Sequence, residues 1–242
     1  MSEKAICVIP ARCGSKGLSD KNIRLLKNKP LLAWPIEAAI QSKCFEKIVV
    51  STDSKDYAEI ARSYGAEVPF IRSADLATDS ASSTDVCINV IEFYQKQSID
   101  FEILCLLEPT SPLTTAKDVI DAFEMLHRSK QGRSLVGVGV AETSHPEFLC
   151  SISKEGLLQP LLFDDEIKKS SIHIRRQDLT EKCYFYDGSI YLTYTSDFQE
   201  SKTFYHNKTL CKVFSKFQNF EIDDIDDFKI IEAIISKQST GK

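Results

Sequence analysis

Residues 6–22, ICVIPARCGSKGLSDKN, join a short apolar run to a loop that is rich in glycine and positive charge. The run from Ala5 to Ile9 is too short for a helix and rich in branched residues, which predicts a buried strand. After Pro10, Gly14 and Gly17 allow the backbone to turn its N–H groups towards one point, where lysine and arginine add charge. This combination is typical of a loop that holds a polyphosphate, although a basic surface turn has the same composition.

Positive charge is concentrated around this loop although the chain as a whole has a net charge of −5. The segment from Arg12 to Lys29 contains only one acid, Asp20. Its six basic residues are Arg12, Lys16, Lys21, Arg24, Lys27 and Lys29. An acidic protein that concentrates its cations in one loop is expected to bind a small anion there, and no nucleic-acid partner is expected. The loop has neither the Gly-x-x-x-x-Gly-Lys-Ser/Thr pattern nor the Gly-x-Gly-x-x-Gly pattern.

Length and composition favour a single α/β domain over residues 1–242, because a chain of this size with 43% hydrophobic residues can bury a substantial core. No apolar stretch reaches the roughly 18 to 20 residues that span a membrane, so no membrane association is expected. The N-terminus lacks the layout of a signal peptide, which predicts a cytoplasmic location. The eight cysteines form no Cys-x-x-Cys pair, so reduced, mostly buried thiols are expected rather than zinc or disulfides.

The first 140 residues alternate between short apolar runs and longer amphipathic segments. The apolar runs predict strands at Ala5–Ile9, Lys47–Thr52, Phe101–Leu107 and Ser134–Val140. The amphipathic segments predict helices at Leu31–Ser42, Lys55–Tyr64, Thr84–Gln97 and Ala116–Arg128. This alternation predicts a doubly wound, mostly parallel sheet whose ligands bind beyond the carboxyl ends of the strands.

The pattern changes after Val140. The remaining elements are predicted as strands at Phe148–Ser153, Leu157–Leu162, Tyr184–Tyr194 and Leu210–Phe214 and a helix at Asp226–Ser236. A polar stretch separates the second of these strands from the third. Residues 141–182 are therefore interpreted as a small lobe inserted into the main domain.

Two polar segments follow predicted elements of the main domain. Glu108-Pro-Thr-Ser-Pro112 comes directly after a strand and frames two hydroxyl groups with prolines. Such a loop suits sugar recognition because prolines fix it and hydroxyls donate or accept without charge, but a helix-entry cap fits equally well. The other segment, Arg72–Ser83, is a polar loop in which Ser82 or Ser83 caps the next helix.

Five carboxylates lie within the seven residues Glu221-Ile-Asp-Asp-Ile-Asp-Asp227. Mg²⁺ takes hard oxygen ligands, usually one or two carboxylates together with phosphate oxygens and water. Acids in the first turn of a helix are also favoured by the helix dipole, which explains several of these residues without a metal. Both interpretations stay open on the sequence.

Taken in order along the chain, these motifs resemble those of the acylneuraminate cytidylyltransferases, the CMP-sialic acid synthetases. The glycine loop with Lys21-Asn22 is similar to their CTP-binding loop, and Leu106–Leu113 is similar to their Leu-Leu-Gln-Pro-Thr-Ser-Pro-Leu. Arg175–Leu179 matches their Arg-Arg-Gln-Asp-Leu, and Tyr186–Tyr191 corresponds to their Asn-Gly-Ala-Ile-Tyr. The residues that depart from the family pattern are Cys13, Glu108, Thr114, Thr180, Phe185 and Glu221.

The resemblance implies a Rossmann-like nucleotidyltransferase whose substrates are CTP and a nine-carbon sugar acid, and whose lobe over 141–182 is a contact of a homodimer. It assigns CTP binding to Arg12, Gly14, Ser15, Lys16, Asn22, Arg72 and Ser82. It assigns sugar binding to Glu108, Thr110, Ser111, Arg176, Gln177 and Tyr186. It assigns Mg²⁺, for which Mn²⁺ can substitute, to Asp223 and Glu221. The catalytic residues that it implies are Arg12, Lys21 and Asp223.

Three alternatives stay open, one in the choice of sugar and two in the choice of function. The variant motifs Leu-Leu-Glu-Pro-Thr-Ser-Pro and Tyr-Asp-Gly-Ser-Ile-Tyr look like the legionaminic acid branch of the family, with N-acetylneuraminic acid as the alternative substrate. A metal-dependent glycosyltransferase could use Asp224-Ile-Asp226 as its Asp-x-Asp motif, but it leaves the basic glycine loop without a triphosphate. A nucleotide-sensing module would bind CTP without turnover.

Overall fold

A computed structural model describes residues 3–15, 17–78, 81–142, 144–161, 175, 177, 179 and 181–239. Its strands are β1 (Ala5–Pro10), β2 (Leu25–Leu26), β3 (Lys29–Pro30), β4 (Lys47–Ser51), β5 (Ile103–Leu106), β6 (Ser134–Val140), β7 (Cys150–Ile152), β8 (Leu158–Pro160), β9 (Tyr184–Tyr194) and β10 (Thr209–Val213). Its α-helices are α1 (Ala33–Ser42), α2 (Lys55–Ser63), α3 (Ser83–Gln95), α4 (Ala116–Arg128), α5 (Thr195–Ser201) and α6 (Ile225–Ser239).

Six of the strands form one central sheet in the order β10-β6-β9-β5-β1-β4. β1 pairs in parallel with β4 and β5, and β10 pairs in parallel with β6, whereas β9 runs antiparallel to both of its neighbours. The predicted doubly wound, mostly parallel sheet is confirmed. Because most strands point the same way, their carboxyl ends meet at one edge, where ligands of such folds bind.

Apolar residues alternate along β1 and send side chains into two cores. Cys7 and Ile9 pack with α1, α2 and α4 on one face of the sheet, whereas Ile6 and Val8 pack with α3 and α5 on the other. A third core joins α6 to the β2–β3 hairpin and includes Ile222. This third core fixes the acidic segment before α6 against the part of the chain that follows the glycine loop.

Helices α2, α3 and α4 begin at residues whose side chains satisfy free backbone N–H groups. Ser82 accepts from the backbone N–H of Asp85 at the start of α3, and Thr115 accepts from that of Asp118 at the start of α4; both form capping boxes. The predicted bounds of β6, α4 and β9 agree with the structure, and the other bounds differ by one to three residues. Neither α5 nor the β2–β3 hairpin was predicted from the sequence.

Part of the predicted lobe is described. β7 and β8 form an antiparallel hairpin whose apolar side chains are exposed, and the strand predicted over Leu157–Leu162 is shorter, with residue 162 outside the described residues. All eight cysteines are free, but only Cys7, Cys87 and Cys105 are fully buried, so the expectation of mostly buried thiols was too strong. Over the described part of the chain, no helix is long and apolar enough to cross a membrane.

Candidate active site

A cavity of about 460 Å³ lies at the carboxyl edge of the sheet. Four segments that were singled out in the sequence converge on it: the glycine loop, the Arg72–Ser83 segment, the Glu108 segment and the acidic turn before α6. Its lining residues are Pro10, Arg12, Ser15, Gly17, Lys21, Asn22, Arg72, Leu76, Ala81, Ser83, Val86, Glu108, Pro109, Thr110 and Asp223. The structure thus brings together eight of the residues predicted to bind CTP, sugar or metal or to act in catalysis.

The glycine loop is held in a defined conformation. Gly14 has φ +74°, a left-handed conformation that residues with a Cβ atom rarely adopt. Asn22 is buried, and its side-chain amide donates to the carbonyl of Arg12 over 3.0 Å, which ties the end of the loop to its beginning. Ser15 and Arg12 line the cavity, whereas Lys16 lies outside the described residues.

Lys21 connects the glycine loop to the acidic turn. Its ammonium group donates to the carbonyl of Ile222 over 2.7 Å and lies 3.4 Å from a carboxylate oxygen of Asp223. Gly17 reinforces this contact, because a Cβ atom there would collide with the backbone carbonyl of Asp223. One cation and one carboxylate therefore face the cavity together, from parts of the chain about two hundred residues apart.

Arg72 is a buried cation with unused donors. It is only 5% exposed, and its Nε and Nη2 atoms have no hydrogen-bond partner among the described residues. Burial lowers the pKa of Arg72, and the neighbouring Arg12 lowers it further, whereas Asp53 raises it. A buried guanidinium with free N–H groups that faces a cavity can bind the acceptor edge of a ligand.

The two serines at the start of α3 have different surroundings. Ser82 is exposed, and its hydroxyl caps the helix and donates to Asp85, so it does not line the cavity. Ser83 does line it and donates to Glu108 over 2.6 Å. Ser82 was predicted from the sequence to bind the nucleotide, but its neighbour Ser83 is the serine that lines the cavity.

Glu108 lies just after β5 and lines the cavity. Burial raises the pKa of Glu108 to about 7, and the nearby Glu221 acts in the same direction. The hydrogen bond from Ser83 and the positive charges of Lys21 and Arg72 act in the opposite direction. Near neutral pH the carboxyl group can therefore accept a hydrogen bond or donate one, according to its proton.

The other residues predicted to bind sugar are spread over a wider area. Thr110 lines the cavity, and its carbonyl accepts from the backbone N–H of Ile222. Ser111 is buried with a hydroxyl group that has no partner among the described residues. Tyr186 is 71% exposed and packs edge-on against Tyr205. Gln177 is exposed. Arg176, also predicted to bind sugar, lies outside the described residues.

The two acids predicted to hold a metal differ in their surroundings. Asp223 has an 83% exposed side chain that lines the cavity. Glu221 instead accepts a hydrogen bond from the backbone N–H of Gly188, and burial raises its pKa. No group of three or more metal-binding side chains occurs in the described ranges. A single exposed carboxylate still fits Mg²⁺, which keeps several ligands from phosphate and water.

Three further polar residues were not found from the sequence: Ser83, which lines the cavity, Asp53 and Asp187. Asp53 accepts two hydrogen bonds from Cys13 in the glycine loop and lies beside Arg72. Asp187 is buried, and one of its carboxylate oxygens has no partner among the described residues. An acid directly after a predicted buried strand was the available signal for Asp53, since that position lies at the carboxyl edge of the sheet.

A family model described as cytidylyltransferase matches residues 6–234. The chain belongs to the cytidylyltransferase family. This cytidylyltransferase is 37% identical over 234 residues to the CMP-N,N'-diacetyllegionaminic acid synthase of Legionella pneumophila, and the match covers 96% of each chain. It is 32% identical over 231 residues to the pseudaminic acid cytidylyltransferase of Campylobacter jejuni, again with 96% of each chain covered.

A further relative is longer than this cytidylyltransferase. The N-acylneuraminate cytidylyltransferase of Escherichia coli is 34% identical over 242 residues, which are 100% of this chain and 54% of the relative. Among solved structures, a CMP:2-keto-3-deoxy-manno-octonic acid synthetase in complex with CTP has a TM-score of 0.67 at 17% identity and covers 97% of this chain and 99% of its own. That likeness shows that the two proteins share a fold.

Proposed function

We propose that this cytidylyltransferase transfers CMP from CTP to the 2-hydroxyl group of a nonulosonic acid and releases pyrophosphate. The observation that carries the proposal is the cavity lined by the glycine loop, by Lys21 and by Arg72, whose Nε and Nη2 atoms make no hydrogen bond with the described residues. The names of the relatives from Legionella, Campylobacter and Escherichia, all cytidylyltransferases or CMP-sugar synthases, support the same reaction.

The proposed reaction is an in-line displacement at phosphorus. The 2-hydroxyl oxygen of the sugar forms a bond to the α-phosphorus of CTP and releases its proton to water. The bond from that phosphorus to the bridging oxygen breaks, and pyrophosphate leaves with the bonding electron pair. The protein forms no covalent bond, so its contribution is to position the substrates and to neutralise charge. Arg12 and Lys21 are the cations for the phosphates, and the glycine loop supplies backbone N–H donors.

The nucleoside end is assigned to the Arg72–Ser83 side of the cavity. Cytosine carries two adjacent acceptors, O2 and N3, which suit the two free donor atoms of Arg72. The apolar side chains of Leu76 and Val86 border the same region and can cover the faces of the base. A site that hydrogen-bonds the edge of the base can separate cytosine from uracil, which an apolar slot cannot do.

Mg²⁺, for which Mn²⁺ can substitute, is the proposed cofactor. Asp223 is the side chain that would hold it, with Glu221 as a neighbouring acid whose carboxylate already accepts from Gly188. When bound, the ion supplies charge neutralisation at the phosphate oxygens. Because Lys21 lies beside Asp223, a cation and a carboxylate can face the triphosphate together.

Legionaminic acid is the proposed sugar in preference to N-acetylneuraminic acid. Legionaminic acid has an acylated amine at C7 and a methyl group at C9, where sialic acid has hydroxyl groups. In its ionised form Glu108 accepts hydrogen bonds and cannot donate them, and in that form it favours the amide N–H group. The aromatic residues Phe185 and Tyr186 are exposed and offer apolar surface for the methyl group. The 37% identity to the Legionella relative supports this choice.

The experiment that tests the proposed sugar compares kcat/KM for legionaminic, N-acetylneuraminic and pseudaminic acids with CTP, with the CMP-sugar product identified by mass spectrometry. We expect the highest kcat/KM for N,N'-diacetyllegionaminic acid, because sites that hydrogen-bond a substrate group discriminate strongly against analogues that lack it. Equal or better use of N-acetylneuraminic acid would overturn the choice of sugar and leave cytidylyl transfer standing. A CMP-sugar from none of the three would overturn the proposed function.

A further inference from the structure

The end of β4 and the residues after it contact two segments that line the cavity, the glycine loop and the Arg72 segment. The carbonyl of Ser51 accepts from the backbone N–H of Ala11, at the start of the glycine loop, over 2.9 Å. The carbonyl of the next residue, Thr52, accepts from the backbone N–H of Arg72 over 2.8 Å. Residues 51 and 52 therefore fix the main chain of the glycine loop and of the Arg72 segment relative to each other.

Asp53, the next residue, makes the same connection with its side chain. One carboxylate oxygen accepts from the backbone N–H of Cys13 over 2.9 Å, and the other accepts from the thiol of Cys13 over 3.1 Å. The first oxygen also lies 4.0 Å from Nη2 of Arg72. The hydrogen bond to Asp53 raises the pKa of the Cys13 thiol, so the thiol stays protonated and keeps donating.

The guanidinium of Arg72 needs a negative charge in this position. The side chain of Arg72 is 3% exposed, so it has lost most of its hydration, and it is further destabilised by the positive charge of Arg12. A buried charge is costly unless an opposite charge or a full set of hydrogen bonds compensates it. Among the described residues, Asp53 is the acid that forms an ion pair with Arg72, and its own side chain is 16% exposed.

We propose that Asp53 is a positioning residue for nucleotide recognition: its carboxylate holds the guanidinium of Arg72 beside the glycine loop, so that the free Arg72 donors face the base of CTP. The inference rests on the proposed function, since it takes CTP as the ligand of this cavity. Asp53 does not line the cavity and acts through Arg72 and the loop. None of the sequence motifs discussed above included it.

The test is the affinity for CTP of Asp53→Asn, measured by calorimetry without sugar acid so that turnover does not enter. We expect the dissociation constant to rise by about tenfold or more, equivalent to about 1.4 kcal/mol, because the amide cannot balance the charge of Arg72. The preference for CTP over UTP should fall as well, and the KM for the sugar acid should stay within about twofold of the value for the unaltered protein. Asp56→Asn, which removes an exposed acid from the first turn of α2, is the matched control and should leave all three values unchanged.

A second pair of variants separates positioning from a general effect on folding. In an Arg72→Met background, Asp53→Asn should change the affinity for CTP by less than about twofold, since the group that Asp53 holds is gone. If Asp53→Asn does not fold, Asp53→Glu keeps the charge but moves it, and its affinity for CTP should still fall below that of the unaltered protein.

Three results would overturn the inference, and the third is distinguishable from the first two. Unchanged CTP affinity and unchanged CTP-to-UTP preference in folded Asp53→Asn would remove Asp53 from nucleotide recognition while the proposed function stands. A fall in melting temperature with no change in CTP affinity would have the same meaning and would assign Asp53 to folding alone. Failure of the unaltered protein to bind CTP would overturn the proposed function and this inference with it.

Discussion

Lys21 is held at the cavity by the backbone of a segment that lies far from it in the sequence. Its ammonium group has the carbonyl of Ile222 and the carboxylate of Asp223 as partners, and its side chain is 13% exposed. A cation that is already oriented and partly desolvated can stabilise charge on a phosphate without reorganising. Arg12, in the same loop, lines the same space. The charges of these two residues are therefore the ones whose removal should affect catalysis most.

Arg12→Ala and Lys21→Ala should each lower kcat/KM by about 10²- to 10³-fold, the loss that follows removal of one donor to charge that develops in a transition state. Pyrophosphate release under initial-rate conditions measures it. Lys55→Ala, which removes an exposed cation from the start of α2, is the control and should keep full activity. Near-normal kcat/KM in both loop variants, with Lys55→Ala unaffected, would remove the glycine loop from the mechanism.

Glu108 should make the stability of the ligand-free protein depend on pH. Burial raises its pKa to about 7 from an ordinary value of 4.5, so the folded protein binds this proton more tightly than the unfolded chain. Its contribution to stability is therefore present below about pH 4.5 and is lost as the pH rises through about 7. Glu108→Gln cannot ionise, and its hydrogen bond from Ser83 can remain.

The measurement for Glu108 is the melting temperature of Glu108→Gln relative to the unaltered protein, taken from about pH 5 to about pH 8. As the pH rises, the melting temperature of the variant should increase relative to that of the unaltered protein. Glu59→Gln, at an exposed position of α2, should show no such trend. A difference that stays constant over this range would mean that Glu108 ionises as easily in the folded protein as in the unfolded chain.

At the scale of elements, the start of α6 explains why only one acid of a cluster faces the cavity. Asp224 accepts from the backbone N–H groups of Asp226 and Asp227, and Asp227 accepts from those of Asp223 and Asp224. The two hydrogen bonds that Asp224 accepts lower its pKa. The helix-start interpretation therefore holds for Asp224, which removes the support for a glycosyltransferase Asp-x-Asp motif. The side chain of Asp223 is left to face Lys21.

The two interpretations of the acidic cluster predict different effects of two matched variants. Asp223→Asn should abolish pyrophosphate release even at saturating Mg²⁺ or Mn²⁺. Asp226→Asn should keep most activity, because its carboxylate pairs with Lys229 at the helix start and contributes only about 0.3 to 1 kcal/mol to stability. Activity and melting temperature measured on both variants distinguish the roles. Equal loss of activity in the two would mean that the metal ligand is assigned wrongly.

The sequence predicts elements better than it predicts contacts between them. Hydrophobic periodicity gave the strands and helices of the main domain, but it carries no strand direction, so antiparallel β9 between two parallel strands was not foreseen. Two adjacent serines, Ser82 and Ser83, fit a helix cap equally well, and only the geometry separates the capping hydroxyl from the one that faces Glu108. Asp53 escaped notice because its partners, Cys13 and Arg72, are distant in sequence.

At the scale of the whole molecule, we propose a homodimer whose contact includes the β7–β8 hairpin. Ile152, Leu157 and Leu158 are each at least 65% exposed. A concentration of apolar side chains of this kind commonly marks an interface. The proposal agrees with the prediction for residues 141–182, of which residues 162–174 lie outside the described part.

Light scattering at micromolar concentration should give about twice the 27.3 kDa mass of one chain. Leu158→Glu should shift the mass towards that of a monomer, because it introduces a charge into the proposed contact. Leu25→Glu, at another exposed leucine on β2, should leave the dimer intact. A monomeric mass for the unaltered protein would contradict the proposal.

The most direct measurement of the central claim is the rate of pyrophosphate release from CTP, UTP, ATP and GTP, each with and without a nonulosonic acid. A cavity that combines phosphate-binding cations with the unpaired donors of Arg72 predicts release from CTP alone, and only when the sugar acid is present. Release from all four nucleotides at similar rates, or release from CTP that does not depend on the sugar acid, would contradict cytidylyl transfer.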